Sequence, residues 1–305
     1  PPRSTLFPYT TLFRSAKFSP QKDGYLIATT PRGGLRGARV YLGGNAGSTV
    51  LGTANVMSAA ALAKGRTTIC HAAQEPEVTD LADLLNKMGA RIQGAGTSTI
   101  EIDGVEALHG CSHEIIPDRI EAGTWIAAVA MAGGDITIRS ARADFNDAVI
   151  DRFNDAGLDM DCLDGDRLRV RKTKRLKPIN VTALPYPGFP TDMQAQVLAA
   201  LTTASGASII TDRVFPERFM HVPELNRMGA NIQHLPGSSA AVIMPVKRLQ
   251  AASVMASDLR ASAALVIAAL AAKGVSTIGR IYHLDRGYER LESKLTALGA
   301  TIWRE

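Results

Sequence analysis

A chain of 305 residues with 46% apolar and 21% charged side chains can bury one large core or two medium ones. Its 27 glycines, 15 prolines and 3 cysteines exclude collagen-like, disordered and disulfide-stapled classes, and no apolar run is long enough to cross a bilayer. The formal charge of +5 drops by two once Arg3 and Arg14 are set aside, and the few aromatic residues are not interleaved with basic ones. Neither feature suits a nucleic-acid partner.

The opening PPRSTLFPYTTLFRS repeats Thr-Leu-Phe, contains no acid, has no helical period and lacks the continuous apolar core of a secretory signal. Thr5 to Ser15 resembles a translated sequencing adapter, so residues 1–16 are expected to be a non-native leader. Gly24 to Thr29 is strand-like. GGNAGST (43–49) is glycine-rich ahead of a helix and could cradle a phosphate on its N–H groups, but it matches neither GxxxxGK[ST] nor GxGxxG.

From there an internal repeat sets the organisation. LLNKMGARI, RFNDAGLDM, ELNRMGANI and KLTALGATI place Gly89, Gly157, Gly229 and Gly299 at spacings of 68, 72 and 70. A second anchor precedes each: AKGRTTI, AGGDITI, ASGASII and AKGVSTI. Two anchors at one period define a repeat of about 70 residues. Each unit reads as an Ala-rich helix without a polar face (Thr53 to Lys64, Leu259 to Ala272), a glycine stop and a β-branched strand. An amphipathic helix follows (Val78, Leu81, Leu85 and Met88, or Leu291, Leu295 and Leu298), then a second glycine and a hairpin through Thr99 to Ile102 or Arg167 to Val170. The expected fold is α/β, with βαβαββ-like units keeping the apolar helices inside and the sheets around them. A solenoid is the alternative, but the inner helices are too apolar to leave uncovered.

Cys70, Cys111 and Cys162 form no CxxC and are odd in number, which fits a reducing cytoplasm. His109-Gly-Cys111-Ser-His113 reads as a turn and not a metal site, because tetrahedral sites usually draw ligands from more than one element. Acids opening the inner helices, in Pro117-Asp118-Arg119, Pro190-Thr191-Asp192 and Ser257-Asp258-Leu259-Arg260, can cap helix N–H groups. Three stretches exceed what a scaffold needs: FPTDMQAQ with Asp192 and Gln194, ERFMHVPEL with Arg218 and His221, and IYHLDRGYERL with His283, Asp285, Arg286, Tyr288 and Arg290. Arginines in loop after loop suit a polyanionic small molecule; a solvated charged face is the alternative.

FPTDMQAQ, RFMHVPEL, DLRASAALV and IYHLDRGYERLESKL, with AAQEPEVTDLADLLNKMGA and IIPDRIEAGT, closely resemble the UDP-N-acetylglucosamine 1-carboxyvinyltransferase family of enolpyruvyl transferases, from about Leu35 to the C-terminus. The resemblance implies two inside-out α/β barrels of three repeats each, with substrates in the cleft between them. About four of six repeats are present, so residues 17–116 are expected to be a remnant of the first barrel and 117–305 the second. It also implies the reaction. The sugar 3′-hydroxyl of UDP-N-acetylglucosamine adds to C2 of phosphoenolpyruvate, C3 is protonated, and phosphate leaves the tetrahedral intermediate, with no metal and no tightly held organic cofactor.

By the same resemblance Asp192 is the acid that contacts the sugar hydroxyl and the expected general base, within reach because it opens a helix. Arg218 and Arg286 match arginines that bind phosphoenolpyruvate or hold the closed cleft, Arg286 with a catalytic role. Asp258 and Arg260 serve the same charge cluster, and Val214 lines the sugar-nucleotide site. Asn45, Ala46 and Gly47 match the diphosphate-contacting loop, with two departures: Gly43 stands where the family often has lysine, and Asn45 where it has serine. The family's Lys-Asn pair, uridine-side arginines and proton-donating cysteine loop have no counterpart here. Cys70, Cys111 and Cys162 lie in repeat segments. The chain alone is therefore expected to be inactive, and an inner helix at Thr53 to Lys64 without barrel partners predicts self-association. The alternatives are a 5-enolpyruvylshikimate-3-phosphate synthase-like transferase, which the HLDRGYERL and FMHVPEL loops disfavour, and a non-catalytic binding or regulatory module.

Overall fold

The computed structural model describes residues 16–22, 25–30 and 32–305. The leader expected at 1–16 and Gly24 fall, apart from Ala16, outside the described residues. Two compact units divide the chain: one runs to Ile116 and takes in Pro185–Pro187, and the other comprises Pro117–Leu184 and Gly188–Glu305.

In the first unit a short hairpin pairs Lys17–Pro20 with Leu26–Thr29. A four-stranded sheet follows, in the spatial order Arg39–Tyr41, Arg66–Cys70, Thr99–Asp103, Arg91–Gln93. The first pair is parallel (Val40 beside Ile69) and the others antiparallel (Ile69 beside Ile100, Ile92 beside Ile102). These isoleucines are buried, so the period-2 pattern turns one face of the sheet onto helices α1 (Val50–Ala60) and α2 (Pro76–Lys87). Helix α1 starts and stops earlier than the expected Thr53 to Lys64. Thr49 is extended (φ −110°) and its hydroxyl accepts the Gly52 N–H at 3.2 Å, which places the cap one turn upstream.

The second unit repeats that path. Val181–Ala183, Ser208–Asp212, Ala240–Met244 and Asn231–His234 form a sheet of the same order and directions, with Val181 beside Ile210, Ile210 beside Ala241 and Ile232 beside Ile243. Two smaller sheets belong to the same unit. One is a three-stranded sheet of Gly134–Ile138, Arg167–Lys172 and Asp159–Leu163; the other is the parallel pair Ser253–Met255 with Thr277–Gly279. Helices α3 (Arg119–Ala132), α5 (Gln194–Leu201) and α7 (Leu259–Ala271) pack pairwise on one another within this unit. They carry no polar stripe because each is covered all round. Small residues allow the close approach: a Cβ on Gly123 would lie 2.7 Å from Met193 Sδ. Each fully buried Leu265 or Ile267 side chain contributes about 1.5–3 kcal/mol.

The outer helices α2, α4 (Asp147–Asp155), α6 (Val222–Arg227) and α9 (Leu291–Ala297) bury only one face: Val78 and Leu85, Val149 and Phe153, Val222 and Leu225, Leu291 and Leu295. Leu298, expected on that face, is exposed because it lies beyond the last helical residue. Gly89, Gly157, Gly229 and Gly299 have φ between 84° and 98°, the left-handed value that ends a helix without a Cβ penalty. Two repeats add an asparagine clamp. Asn86 exchanges two hydrogen bonds with the backbone of Ile92, and Asn226 does the same with Ile232, fixing the strand that follows the helix.

Candidate active site

Four of the charged residues singled out in the second unit, Asp192, Arg218, Asp258 and Arg260, gather where α5 and α7 begin. The three acids that open inner helices divide by role. Asp118 accepts the N–H groups of Ile120 and Glu121 at 2.8 and 3.1 Å, and Asp258 those of Arg260 and Ala261 at 2.8 and 2.7 Å. Both are N-caps. Asp192 caps nothing. It sits in a one-turn 3-10 segment, Thr191–Met193, ahead of α5 rather than at an α-helix start, and its two oxygens face guanidinium groups. Arg218 Nη1 lies 2.6 Å from Oδ1 and Arg260 Nε lies 3.2 Å from Oδ2. Arg218 also approaches Asp258 at 3.7 Å.

Burial by itself would raise the Asp192 carboxyl. The charges of Arg260 and Arg218, with their hydrogen bonds, outweigh it and hold the group below the usual carboxylate range. The Asp192 side chain is still 38% exposed whereas that of Arg260 is 11% exposed, so the carboxylate is open to a ligand and its deeper partner is not. Burial works against the Arg260 charge, but Tyr288 and Asp192 stabilise it and its pKa is raised.

Two residues to which the sequence assigned no role organise the arrangement. Asp212, fully buried, accepts the N–H groups of Val214 (2.9 Å) and Phe215 (2.7 Å) on Oδ1 and the Thr191 hydroxyl (2.6 Å) on Oδ2. It thereby ties the residue before Asp192 to the turn that leads into Arg218. The signal was available, since an aspartate two and three residues ahead of the N–H groups it accepts is the pattern of an Asx turn. The other is Tyr288, buried against Arg260. His221 is buried near Arg218 and stacks beside Phe219. Burial pushes its pKa down to about 4, with Asp258 opposing, so the ring is neutral at pH 7.

Val214 is half-buried on the turn that Asp212 fixes. Arg286 does not join the cluster: it is exposed, one residue beyond the short helix α8 (Tyr282–Asp285), and forms no ion pair among the described residues. Its neighbour Asp285 is taken by Arg304 at 2.7 Å. In the first unit Asn45 and Ala46 form the exposed turn of the Gly43–Gly44/Gly47–Ser48 hairpin, and Gly47 has φ 98°. His113 of the histidine-cysteine turn bonds Asp80 at 2.9 Å, and no metal-holding group of three His, Cys, Asp or Glu occurs among the described residues. Cys70, Cys111 and Cys162 are free, and no helix among the described residues is long and apolar enough to cross a membrane.

Comparison with known proteins agrees with this fold. The family described as EPSP synthase (3-phosphoshikimate 1-carboxyvinyltransferase) matches residues 23–295, and the chain belongs to it. Among curated relatives, the UDP-N-acetylglucosamine 1-carboxyvinyltransferase of Rhodopseudomonas palustris strain BisB5 is 53% identical over 282 residues, covering 92% of this chain and 64% of the relative. The protein of that name from Myxococcus xanthus is 50% identical over 283 residues, covering 93% and 66%. The chain thus spans just under two thirds of the length of these relatives. Among solved structures, the enolpyruvyl transferase NikO from Streptomyces tendae superposes with a TM-score of 0.86 at 26% identity, covering 97% of this chain and 72% of that one. EPSP synthase from Acinetobacter baumannii, at 17% identity and a TM-score of 0.70, covers 98% and 71% and shares the fold.

Proposed function

We propose that the chain carries the general base and anion-binding half of an enolpyruvyl transferase acting on UDP-N-acetylglucosamine and phosphoenolpyruvate, at the entry to peptidoglycan synthesis in the cytoplasm. The observation that carries this reading is Asp192, an open carboxylate that caps no helix and is held between Arg218 and Arg260. The names of relatives at 50–53% identity supply the acceptor.

In this reading the sugar 3′-hydroxyl donates to Asp192 and loses its proton there as its oxygen bonds C2 of phosphoenolpyruvate. The C2=C3 electron pair takes a proton at C3. Loss of a proton from C3 then re-forms the double bond as phosphate departs. A carboxylate flanked by two cations is a weak base. Phosphoenolpyruvate corrects this when its carboxylate or phosphate takes Arg218 as a partner, since Asp192 Oδ1 is then released and gains basicity. The arginines contribute positioning and charge stabilisation. Arg286 would reach the reacting group only after a movement of its loop, and Val214 would contact the sugar nucleotide. The proton for C3 is assigned to none of the three cysteines.

The test is phosphate release from phosphoenolpyruvate, measured for the 305-residue chain and for the chain extended to the length of its relatives, with UDP-N-acetylglucosamine and shikimate 3-phosphate offered separately. Release with the sugar nucleotide alone, reduced at least about 100-fold in Asp192→Ala, is the expected result. Release with shikimate 3-phosphate reassigns the acceptor. No release from the folded, extended protein with either acceptor leaves a binding module.

A further inference from the structure

Beneath Asp192 a chain of buried polar side chains crosses the second unit. Gln196 on α5, Thr124 on α3 and Tyr288 after α8 are 0–2% exposed, and Arg260 on α7 is buried beside them. Gln196 Nε2 lies 3.2 Å from Thr124 Oγ1, Thr124 Oγ1 lies 2.8 Å from the Tyr288 hydroxyl, and Arg260 Nη1 lies 3.2 Å from that hydroxyl. Arg260 Nε, on the other side of the guanidinium, reaches Asp192. Thr124 and Tyr288 are 164 residues apart in sequence.

The direction of every proton in this chain follows from one fact. Thr124 Oγ1 lies 2.8 Å from the carbonyl oxygen of Ile120, which can only accept, so the single threonine proton is committed there. Thr124 is left with lone pairs, which take the Gln196 amide and the Tyr288 O–H. The opposite amide orientation would set Gln196 Oε1 against the threonine oxygen with no proton between them. Burial pushes the Tyr288 phenol up, with Arg260 and Thr124 opposing, so the phenol keeps its proton at neutral pH. Its proton is spent on Thr124 and its lone pair points at Arg260 Nη1. With Nη1 spent on Tyr288, the planar guanidinium is held with Nε toward Asp192.

We infer that Tyr288 is a positioning residue for the Asp192 carboxylate: oriented by Thr124, its hydroxyl fixes the Arg260 guanidinium, which in turn holds Asp192 Oδ2. This rests on the proposed role of Asp192, and it adds the network that sets how strongly that carboxylate is held. The charged and titratable groups around the pair are Arg218 from the loop after Ser208–Asp212, Asp258 at the start of α7, Asp118 at the start of α3, which acts on both Arg260 and Tyr288, and the neutral His221. A Tyr288→Phe change leaves all of them in place.

The experiment has a readout that needs no turnover. The carboxyl carbon of Asp192 is titrated by NMR in the 305-residue chain as wild type, Tyr288→Phe, Thr124→Val and Thr124→Ser. In the extended protein, the acid limb of kcat/KM against pH is recorded for the same set. Removing the hydroxyl should raise the Asp192 midpoint by at least about 0.5 pH unit and lower kcat/KM about 3-fold on the acid limb. Thr124→Val should move both in the same direction, and Thr124→Ser should restore them. A folded Tyr288→Phe protein with a wild-type Asp192 titration overturns the inference, since a side chain that only fills the core keeps its ring in this variant. If Tyr288→Phe does not fold, the contrast between Thr124→Val and Thr124→Ser decides: equal titrations overturn the inference and unequal ones support it. Absence of turnover with either acceptor strikes the proposed function and leaves the carboxyl titration to judge the network.

Discussion

His221 offers a prediction whose size and sign come from the structure. The ring is fully enclosed and its Nε2 has no hydrogen-bond partner among the described residues, so the folded state binds a proton there only at about pH 4. In the unfolded chain an ordinary histidine binds it near pH 6.5. Between those values the unfolded state carries the extra proton, so this residue's contribution to stability is intact above about pH 6.5 and is lost as the pH falls toward 4. The loss amounts to about 2 kcal/mol at pH 5 and about 3 kcal/mol at pH 4, relative to pH 7. His221→Phe keeps a ring beside Phe219 and has nothing to protonate, so it should remove this part of the pH dependence, while its larger ring costs about 1–3 kcal/mol equally at every pH. Urea unfolding of both proteins at pH 7, 6, 5 and 4 gives the difference directly, because acids elsewhere titrate equally in each. Parallel stability curves across that range would refute the reasoning and show that the buried ring finds a proton acceptor on protonation.

Three further outcomes follow from caps and glycines. Asp118→Ala should cost about 1 kcal/mol of stability and Asp118→Asn a few tenths, because the two N–H groups at the start of α3 need an acceptor and not a charge; urea midpoints report both. Gly104→Ala should cost more than about 3 kcal/mol, since a Cβ there would lie 1.6 Å from the carbonyl oxygen of Ala63, a backbone atom that cannot step aside. Gly65→Ala meets no atom within 4 Å and should cost only about 1 kcal/mol, the penalty for a side chain at φ 90°; amide exchange in the Arg66–Cys70 strand distinguishes the two.

What could be read from the sequence was local or periodic. Gly89, Gly157, Gly229 and Gly299 declared themselves because a backbone constraint selects one residue type at every recurrence. Helices α3, α5 and α7 declared themselves because full enclosure removes any polar stripe, whereas α1, read in the same way, leaves Leu51, Asn55 and Ser58 exposed. Equivalence across repeats also made Asp118, Asp192 and Asp258 look alike, and only the coordinates separate two caps from a carboxylate that faces two arginines. Tyr288 could be seen in its loop but its role could not. Its partner Thr124 lies on a helix from another repeat, and Arg260 on the helix that opens its own, 28 residues away, and no spacing rule relates residues that meet only after the helices pack. Arg286 shows the converse: its loop matches the family pattern, yet its side chain stands apart from the cluster. Asp212 was legible in principle, through the turn it caps, and was hidden by its place in an apolar strand.

The mutual enclosure of α3, α5 and α7 has a consequence in time. None of the three is fully covered by its own repeat, so α3, complete at Ala132, has no full set of neighbours until α7 has been made through Ala271. At ordinary synthesis rates of about 5–20 residues per second, the intervening stretch of about 140 residues takes on the order of ten seconds. For that interval the part of α3 that later meets α5 and α7 has no cover from its own chain and is open to whatever binds apolar segments at the ribosome. The order of the repeats along the gene therefore sets how long the growing protein depends on being shielded by others.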